Sequence, residues 1–95
     1  MPSTYSTFVQ FIQALMVNDR DAAEALVSHP SLLDMARRLE WGKPRGTWRV
    51  APATDETPQR ITFFRGDKEA YRVEFEPRED AWLIAGIEEV PRSVE

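Results

Sequence analysis

Apolar and polar residues alternate with a period of two through the last third of the chain, which predicts β-strands. Two polar turns separate three strand-like runs, at residues 60–65, 70–76 and 81–87. In the middle run Tyr71, Val73 and Phe75 lie on one face, and charged residues lie on the other. That run therefore predicts an antiparallel strand with one buried and one solvated face.

Shorter segments complete the predicted sheet. Residues 47–51 predict a strand ahead of the other three, with Trp48 and Val50 on one face. The first hairpin turn contains the tripeptide Arg-Gly-Asp at residues 65–67, and residues 77–80 form the second turn. This tripeptide is also an integrin-binding sequence, but we favour the turn, which needs the same glycine and aspartate for its backbone angles.

The first part of the chain has a period close to four, which predicts helices. The first helix covers residues 6–17, with Ser3, Thr4 or Ser6 available as its N-cap. Its apolar stripe consists of residues spaced three and four apart, namely Phe8, Phe11, Ile12, Leu15 and Met16. A second, short helix is predicted from Asp19 or Asp21 onwards.

We expect the second helix to run to Val27 and to end at residues 29–30, because the residue before a proline avoids the helical region. Ser31 and Asp34 then form a predicted capping box. The third helix is expected to run from there to Trp41, where Gly42 and Pro44 end it.

Helices followed by strands predict an α+β fold in the order α-α-α-β-β-β-β, with three N-terminal helices packed on a curved four-stranded antiparallel sheet. Residues 1–95 form a single domain in this prediction, with helices within residues 4–41 and strands within residues 46–90. The run at 81–87 is apolar on both faces, so it needs a cover beyond the local helices. Either the sheet curls around its helices or its outer face meets another subunit, and we predict both, with a homodimer that associates through the sheet.

Composition excludes several classes of protein. The net charge is −4 and the basic residues do not form a stripe, so we expect no nucleic-acid partner. The chain has no cysteine, which excludes disulfides and thiolate metal sites. No apolar run is long enough to span a membrane, and no signal peptide is evident. We expect a cytoplasmic protein, with a trimmed extracytoplasmic domain as the alternative.

Two segments carry a resemblance to a known family. Residues 8–27 resemble the opening helices of this family, and residues 81–89 resemble its last strand, which begins with a tryptophan. The family is the nuclear-transport-factor-like superfamily, also called the SnoaL-like or cystatin-like cone fold. The resemblance implies a pocket in the mouth of a cone between helices and sheet. This chain would be a short variant, because it passes almost directly from Trp41 to the strand at Trp48.

His29 is the only histidine of the chain, so a site with several histidine ligands is excluded and no metal is expected. Enzymes of the resembled family often place a histidine and an aspartate in the cone, and His29 with Asp34 is the pair available here. A histidine at a helix end before proline is more often solvated or a C-cap, and we favour that structural role.

Two further groups of residues are candidates for ligand binding. Aromatic side chains could line an apolar pocket, although aromatic residues at this spacing are more often core. They are Trp41, Trp48, Tyr71 and Trp82. Basic side chains could bind an anion at one corner, although a solvated face is more common. They are Arg37, Arg38, Lys43 and Arg45.

No sequence motif for catalysis or cofactor binding is present, so no cofactor is expected. The sequence predicts a non-catalytic binding or assembly module that associates with itself through its sheet. The alternative is a small cone-type enzyme or carrier for an apolar small molecule, with His29 and Asp34 as acid and base.

Overall fold

A computed structural model describes residues 3–43, 47–66 and 69–91. These residues form three helices followed by four strands, so the predicted α+β fold and its element order are confirmed. The helices are α1 Thr4–Met16, α2 Arg20–Glu24 and α3 Pro30–Arg38. The strands are β1 Trp48–Ala51, β2 Arg60–Arg65, β3 Glu69–Arg78 and β4 Ala81–Glu89.

The four strands form one curved antiparallel sheet in the order β1-β2-β3-β4. Ile61, Val73 and Ile87 lie opposite one another on its inner face, which the helices cover. The pairing of β3 with β4 shifts by one residue at Glu74 and Phe75, which leaves Ala85 as an extra residue in β4. Such a bulge increases the local bend and twist of a sheet.

The start of α1 follows the sequence closely. Ser3 is the N-cap, and its hydroxyl accepts a hydrogen bond from the amide of Ser6 at 3.0 Å. The helix ends at Met16, and Asn18 follows with a left-handed φ of 58°. The amide of Asp19 then donates to the carbonyl of Ala14 at 2.8 Å, which closes a Schellman motif.

The second helix is shorter than predicted, because it ends at Glu24 rather than at Val27. The following residues make a parallel bridge with β4 instead of continuing the helix. The amide of Ser28 donates to the carbonyl of Ile84 at 2.8 Å, and the amide of Ile84 donates to the carbonyl of Leu26 at 2.9 Å. A tertiary contact has therefore outweighed the local preference of an alanine-rich segment.

The predicted capping box of α3 is wrong. Pro30 occupies the first turn, and His29 is the N-cap, without a side-chain hydrogen bond to the helix. Proline suits this position because the first amides of a helix have no intrahelical partner. His29 therefore precedes a helix, so the predicted C-capping role is wrong, whereas its exposed side chain agrees with the solvated alternative.

The predicted end of α3 at Trp41 is also wrong, since the helix ends at Arg38. Glu40 has a left-handed φ of 59°, and the amide of Trp41 donates to the carbonyl of Ala36 at 3.1 Å. This early Schellman ending turns Trp41 into the core. Its ring lies 5.8 Å from that of Phe8 and 5.1 Å from that of Phe63, so helices and sheet meet on an aromatic cluster.

The outer face of the sheet carries charged pairs. Arg60 contacts Glu74 at 2.6 Å, and Arg72 contacts Glu88 at 3.0 Å. In β4, Ile84 is fully buried, while most of its apolar neighbours are only half-buried. Self-association through the sheet stays a prediction. None of the helices in the described ranges is long and apolar enough to cross a membrane.

Candidate functional site

The two residues predicted as an acid-base pair lie on the surface. His29 precedes α3 and Asp34 lies within it, and both side chains are exposed. No hydrogen bond joins the two side chains. Neither residue lines the two surface depressions described below. The structure therefore does not bring this pair together in a pocket.

The four aromatic candidates have different surroundings. Trp41 and Tyr71 are buried in the core with their rings 5.3 Å apart, and Trp82 packs half-buried against that core. Trp48 lies in the edge strand β1 and is 46% exposed, with its ring 5.7 Å from that of Phe63. Trp41 and Tyr71, with Trp82 packed against them, therefore occupy the space between helices and sheet where the resemblance implies a pocket.

A cleft of about 360 Å³ lies at one end of the helical layer. We call it the helical cleft. Its wall comes from the last turn of α1, the turn into α2, one side of α3 and residues 40–43. The lining residues are Ala14, Leu15, Met16, Asn18, Asp19, Arg20, Ala23, Leu33, Arg37, Glu40, Gly42 and Lys43.

Local sequence explains why the cleft forms here. The left-handed Asn18 ends α1, and the carboxylate of Asp19 immediately caps α2 by accepting from the amide of Ala22 at 3.1 Å. The opposite wall approaches the backbone of Leu15 at Gly42, where a Cβ atom would lie 2.7 Å from the Leu15 carbonyl oxygen. Only glycine permits this approach without a backbone shift.

The base of the helical cleft is apolar. Each of the three helices contributes one buried residue to its lining, namely Ala14, Ala23 and Leu33. These side chains carry no polar atoms, so they offer a dry surface to the apolar part of a ligand. Clefts that bind small molecules commonly combine such a surface with a few polar groups.

The rim of the helical cleft is charged. Lys43 contacts Glu40 at 2.7 Å, and Asp19 is engaged as the helix cap. Within the described ranges, the guanidinium groups of Arg20 and Arg37 have no ion-pair partner within 4.0 Å. Two cationic groups at the cleft are therefore available to an anion.

The predicted basic corner is thus only partly assembled. Arg37 and Lys43 line the helical cleft, whereas the exposed Arg38 does not. Arg45 lies outside the described residues. Sequence reasoning missed Arg20, although its position directly after the predicted cap Asp19 placed it at a helix start.

Arg65 was not predicted to have a structural role, yet it is buried with only 4% of its surface exposed. Its Nη1 donates to the carbonyl of Leu39 at 2.6 Å, and its Nη2 donates to the carbonyls of Glu40 at 2.5 Å and Lys43 at 3.1 Å. Arg65 therefore ties β2 to the segment that ends α3 and forms one wall of the helical cleft. Its guanidinium therefore points into the fold, and Asp67 of the Arg-Gly-Asp tripeptide lies outside the described residues.

Tyr71 lies in the core beside Trp41, with the two ring centroids 5.3 Å apart. Its hydroxyl donates to Glu69 Oε2 at 2.5 Å. Burial, together with the adjacent Glu69 carboxylate, raises the pKa of Tyr71 far above its ordinary value of about 10. The phenol is neutral in the folded protein at physiological pH, so it acts as a hydrogen-bond donor.

No protein-family model, curated protein or solved structure matches this chain. The resemblance to the nuclear-transport-factor-like superfamily therefore stays an expectation from the sequence. Within the described ranges, no group of three or more His, Asp or Glu side chains is placed to hold a metal ion. The chemistry of the helical cleft consequently rests on the cationic rim and the apolar base.

Proposed function

We propose that this chain is a non-catalytic binding module and that the helical cleft binds a small anionic ligand. The observation that carries the proposal is that Arg20 and Arg37 both line the cleft and that neither guanidinium group has an ion-pair partner in the described ranges. A guanidinium suits carboxylate and phosphate oxygens because it donates two parallel hydrogen bonds.

The local charge supports an anion although the whole chain is acidic, with a net charge of −4. Three cationic and two anionic side chains line the helical cleft, which leaves one net positive charge. Because the rim is open to solvent, each ionic contact is screened and contributes little. We expect a dissociation constant of about 1 mM for a minimal anion, which corresponds to about 4 kcal/mol.

A non-catalytic role agrees with the positions of the candidate acid and base. His29 and Asp34 are exposed, and aromatic rings fill the space between helices and sheet. The alternative, a cone-type enzyme or carrier that uses His29 and Asp34 on an apolar molecule, would require a rearrangement of this core.

A second candidate function is self-association through the sheet, and one observation favours it. The β4 edge is partly covered by the bridge from Val27, whereas β1 forms the other edge and carries the exposed Trp48. An edge strand presents unpaired backbone N–H and C=O groups, which can pair with a strand of another chain. A second copy of this chain is the proposed partner.

The anion proposal is tested by titrating isotope-labelled protein with acetate and with inorganic phosphate while amide NMR shifts are recorded. We expect shifts at Arg20, Arg37 and Lys43. Arg37→Gln should weaken binding about tenfold, the loss of one charged hydrogen-bonding group. Arg38→Gln is the matched control, because Arg38 is the next residue of α3 and does not line the cleft. Equal effects of both variants would refute a specific site.

A further inference from the structure

We propose that the ligand of the helical cleft is an alkyl carboxylate, with its carboxylate on Arg20 and Arg37 and its chain running along the end of α1. This inference rests on the proposed function, since it assigns a ligand class to the same site. It adds a separate apolar subsite, which the following observations define.

A second depression lies next to the helical cleft. It is shallow and mostly apolar, and it is lined by Gln10, Gln13, Ala14, Met16, Val17 and Ala22. Ala14 and Met16 line both depressions, so the two surfaces meet at the last turn of α1. A linear ligand can therefore extend from the cationic rim over Met16 into the second depression.

The apolar side chains of this subsite are unusually exposed. Met16 is 55% exposed and Val17 is 73% exposed, although both belong to classes of residue that are commonly buried. An alkyl chain laid over them would remove apolar surface from water. Met16 is also well suited to cover a chain of variable shape, because its side chain is unbranched and flexible.

The charge of the rim selects the head group. A single net positive charge is neutralised by a monoanion, whereas a dianion would leave uncompensated charge beside Asp19 and Glu40. A carboxylate satisfies this condition and accepts the two parallel hydrogen bonds of a guanidinium. A ligand with a monoanionic carboxylate head and an apolar tail is an alkyl carboxylate.

The test is an amide NMR titration with acetate, butanoate, hexanoate and octanoate, each below the concentration at which it forms micelles. Full burial of one methylene contributes about 0.8 kcal/mol, close to fourfold in affinity. Because the second depression is open, we expect an increase of about twofold for each methylene. The longer acids should additionally shift the amides of Val17 and Ala22.

Variants separate the two parts of the ligand. Val17→Gln should reduce the gain with chain length and leave acetate binding unchanged, because Val17 lines the second depression and not the helical cleft. Tyr5→Gln is the matched control, because Tyr5 is also an exposed apolar residue, at 47%, and lines neither depression. Both variants alter exposed side chains, so both should fold.

The outcomes are distinguishable. Equal affinities for acetate and octanoate would overturn the alkyl subsite and leave the anion site intact. No binding of any acid would overturn the proposed function together with this inference. If octanol bound as tightly as octanoate, the carboxylate would be irrelevant and the assignment wrong. Binding to anionic lipid vesicles without binding to monomeric octanoate would also overturn it.

Discussion

Replacing Arg65 by methionine should lower the free energy of unfolding more than the same replacement of Arg60, the other arginine in β2. The guanidinium is buried and donates to the carbonyls of Leu39, Glu40 and Lys43. The methionine side chain fills a similar volume and has no hydrogen-bond donor. The substitution therefore tests the hydrogen bonds with little change in packing.

The magnitude follows from these three bonds. A hydrogen bond to a charged group contributes about 1.5–3 kcal/mol, but the three bonds share one guanidinium. The carbonyls of Glu40 and Lys43 can also recover water, because this segment is near the surface. Removal of a costly buried charge offsets part of the loss. We therefore expect a loss of about 3 kcal/mol, out of a total of about 5–14 kcal/mol for a chain of this length.

The measurement is urea unfolding followed by tryptophan fluorescence, since Trp41 lies in the core beside the affected segment. With a urea dependence of about 1.5 kcal/mol per molar, the unfolding midpoint should fall by about 2 M. Arg65→Lys should lower the free energy of unfolding by an intermediate amount. An ammonium group retains the charge but lacks the planar set of N–H donors of a guanidinium.

Arg60→Met is the matched control for this experiment. Arg60 lies at the other end of β2, and its contact with Glu74 is near the surface. Exposed ion pairs contribute about 0.5 kcal/mol, so this variant should unfold close to the wild-type midpoint. If Arg65→Met were no less stable than Arg60→Met, the three carbonyl contacts would not stabilise the fold, and the reasoning would be refuted.

The remaining predictions concern pH, packing and assembly. Above about pH 10 the unfolded chain ionises Tyr71 while the folded chain keeps it protonated, so the unfolding free energy should fall by up to about 1.4 kcal/mol per pH unit. Tyr71→Phe should reduce this slope in alkaline urea titrations, and an unchanged slope would show that other groups cause it. Gly42→Ala should cost about 1–3 kcal/mol, because its Cβ would meet the backbone of Leu15, whereas Gly86→Ala should be nearly neutral, since its nearest contact is the Glu74 side chain at 3.7 Å. Similar unfolding midpoints for the two alanine variants would contradict this contrast. Sedimentation should show dimers at micromolar concentration, and Trp48→Ser should shift them to monomers; a monomeric wild type would remove the self-association proposal.

The local pattern predicted all four strands, although β3 continues to Arg78 into the predicted turn at 77–80 and β4 continues to Glu89. Alternation at Tyr71, Val73 and Phe75 predicted β3, and all three side chains are buried on the inner face. The predicted β2 matches its observed bounds, Arg60–Arg65. Period-two alternation is reliable here because one face of the sheet is dry and the other carries charged pairs.

The helix ends were predicted less well. Val27 leaves α2 to bridge Ile84, and Trp41 leaves α3 to enter the core. Both departures depend on partners distant in the chain, which propensity and capping rules do not include. Glu40 illustrates the limit, because it takes a left-handed φ that a sequence rule would assign to glycine or asparagine.

The candidate site was predicted only in part. Arg37 and Lys43 were recognised as a basic corner from their spacing along one helix and the turn after it. Arg20 joins them only because Asn18 reverses the chain after α1, which brings a residue distant in sequence to the same cleft. The burial of Arg65 follows the alternation of Ile61 and Phe63 in β2, but its carbonyl partners had no sequence signal, since they depend on where α3 ends.

The sequence by itself therefore determined the element order and the buried face of β3, because these depend on periodicities within a few neighbouring residues. Only the tertiary structure decided where the helices end, which cations share a cleft, and which carbonyls Arg65 contacts. These features arise from contacts between segments far apart in the chain, such as Arg65 with Leu39 and Gly42 with Leu15. Such contacts form only when the complete fold brings their partners together.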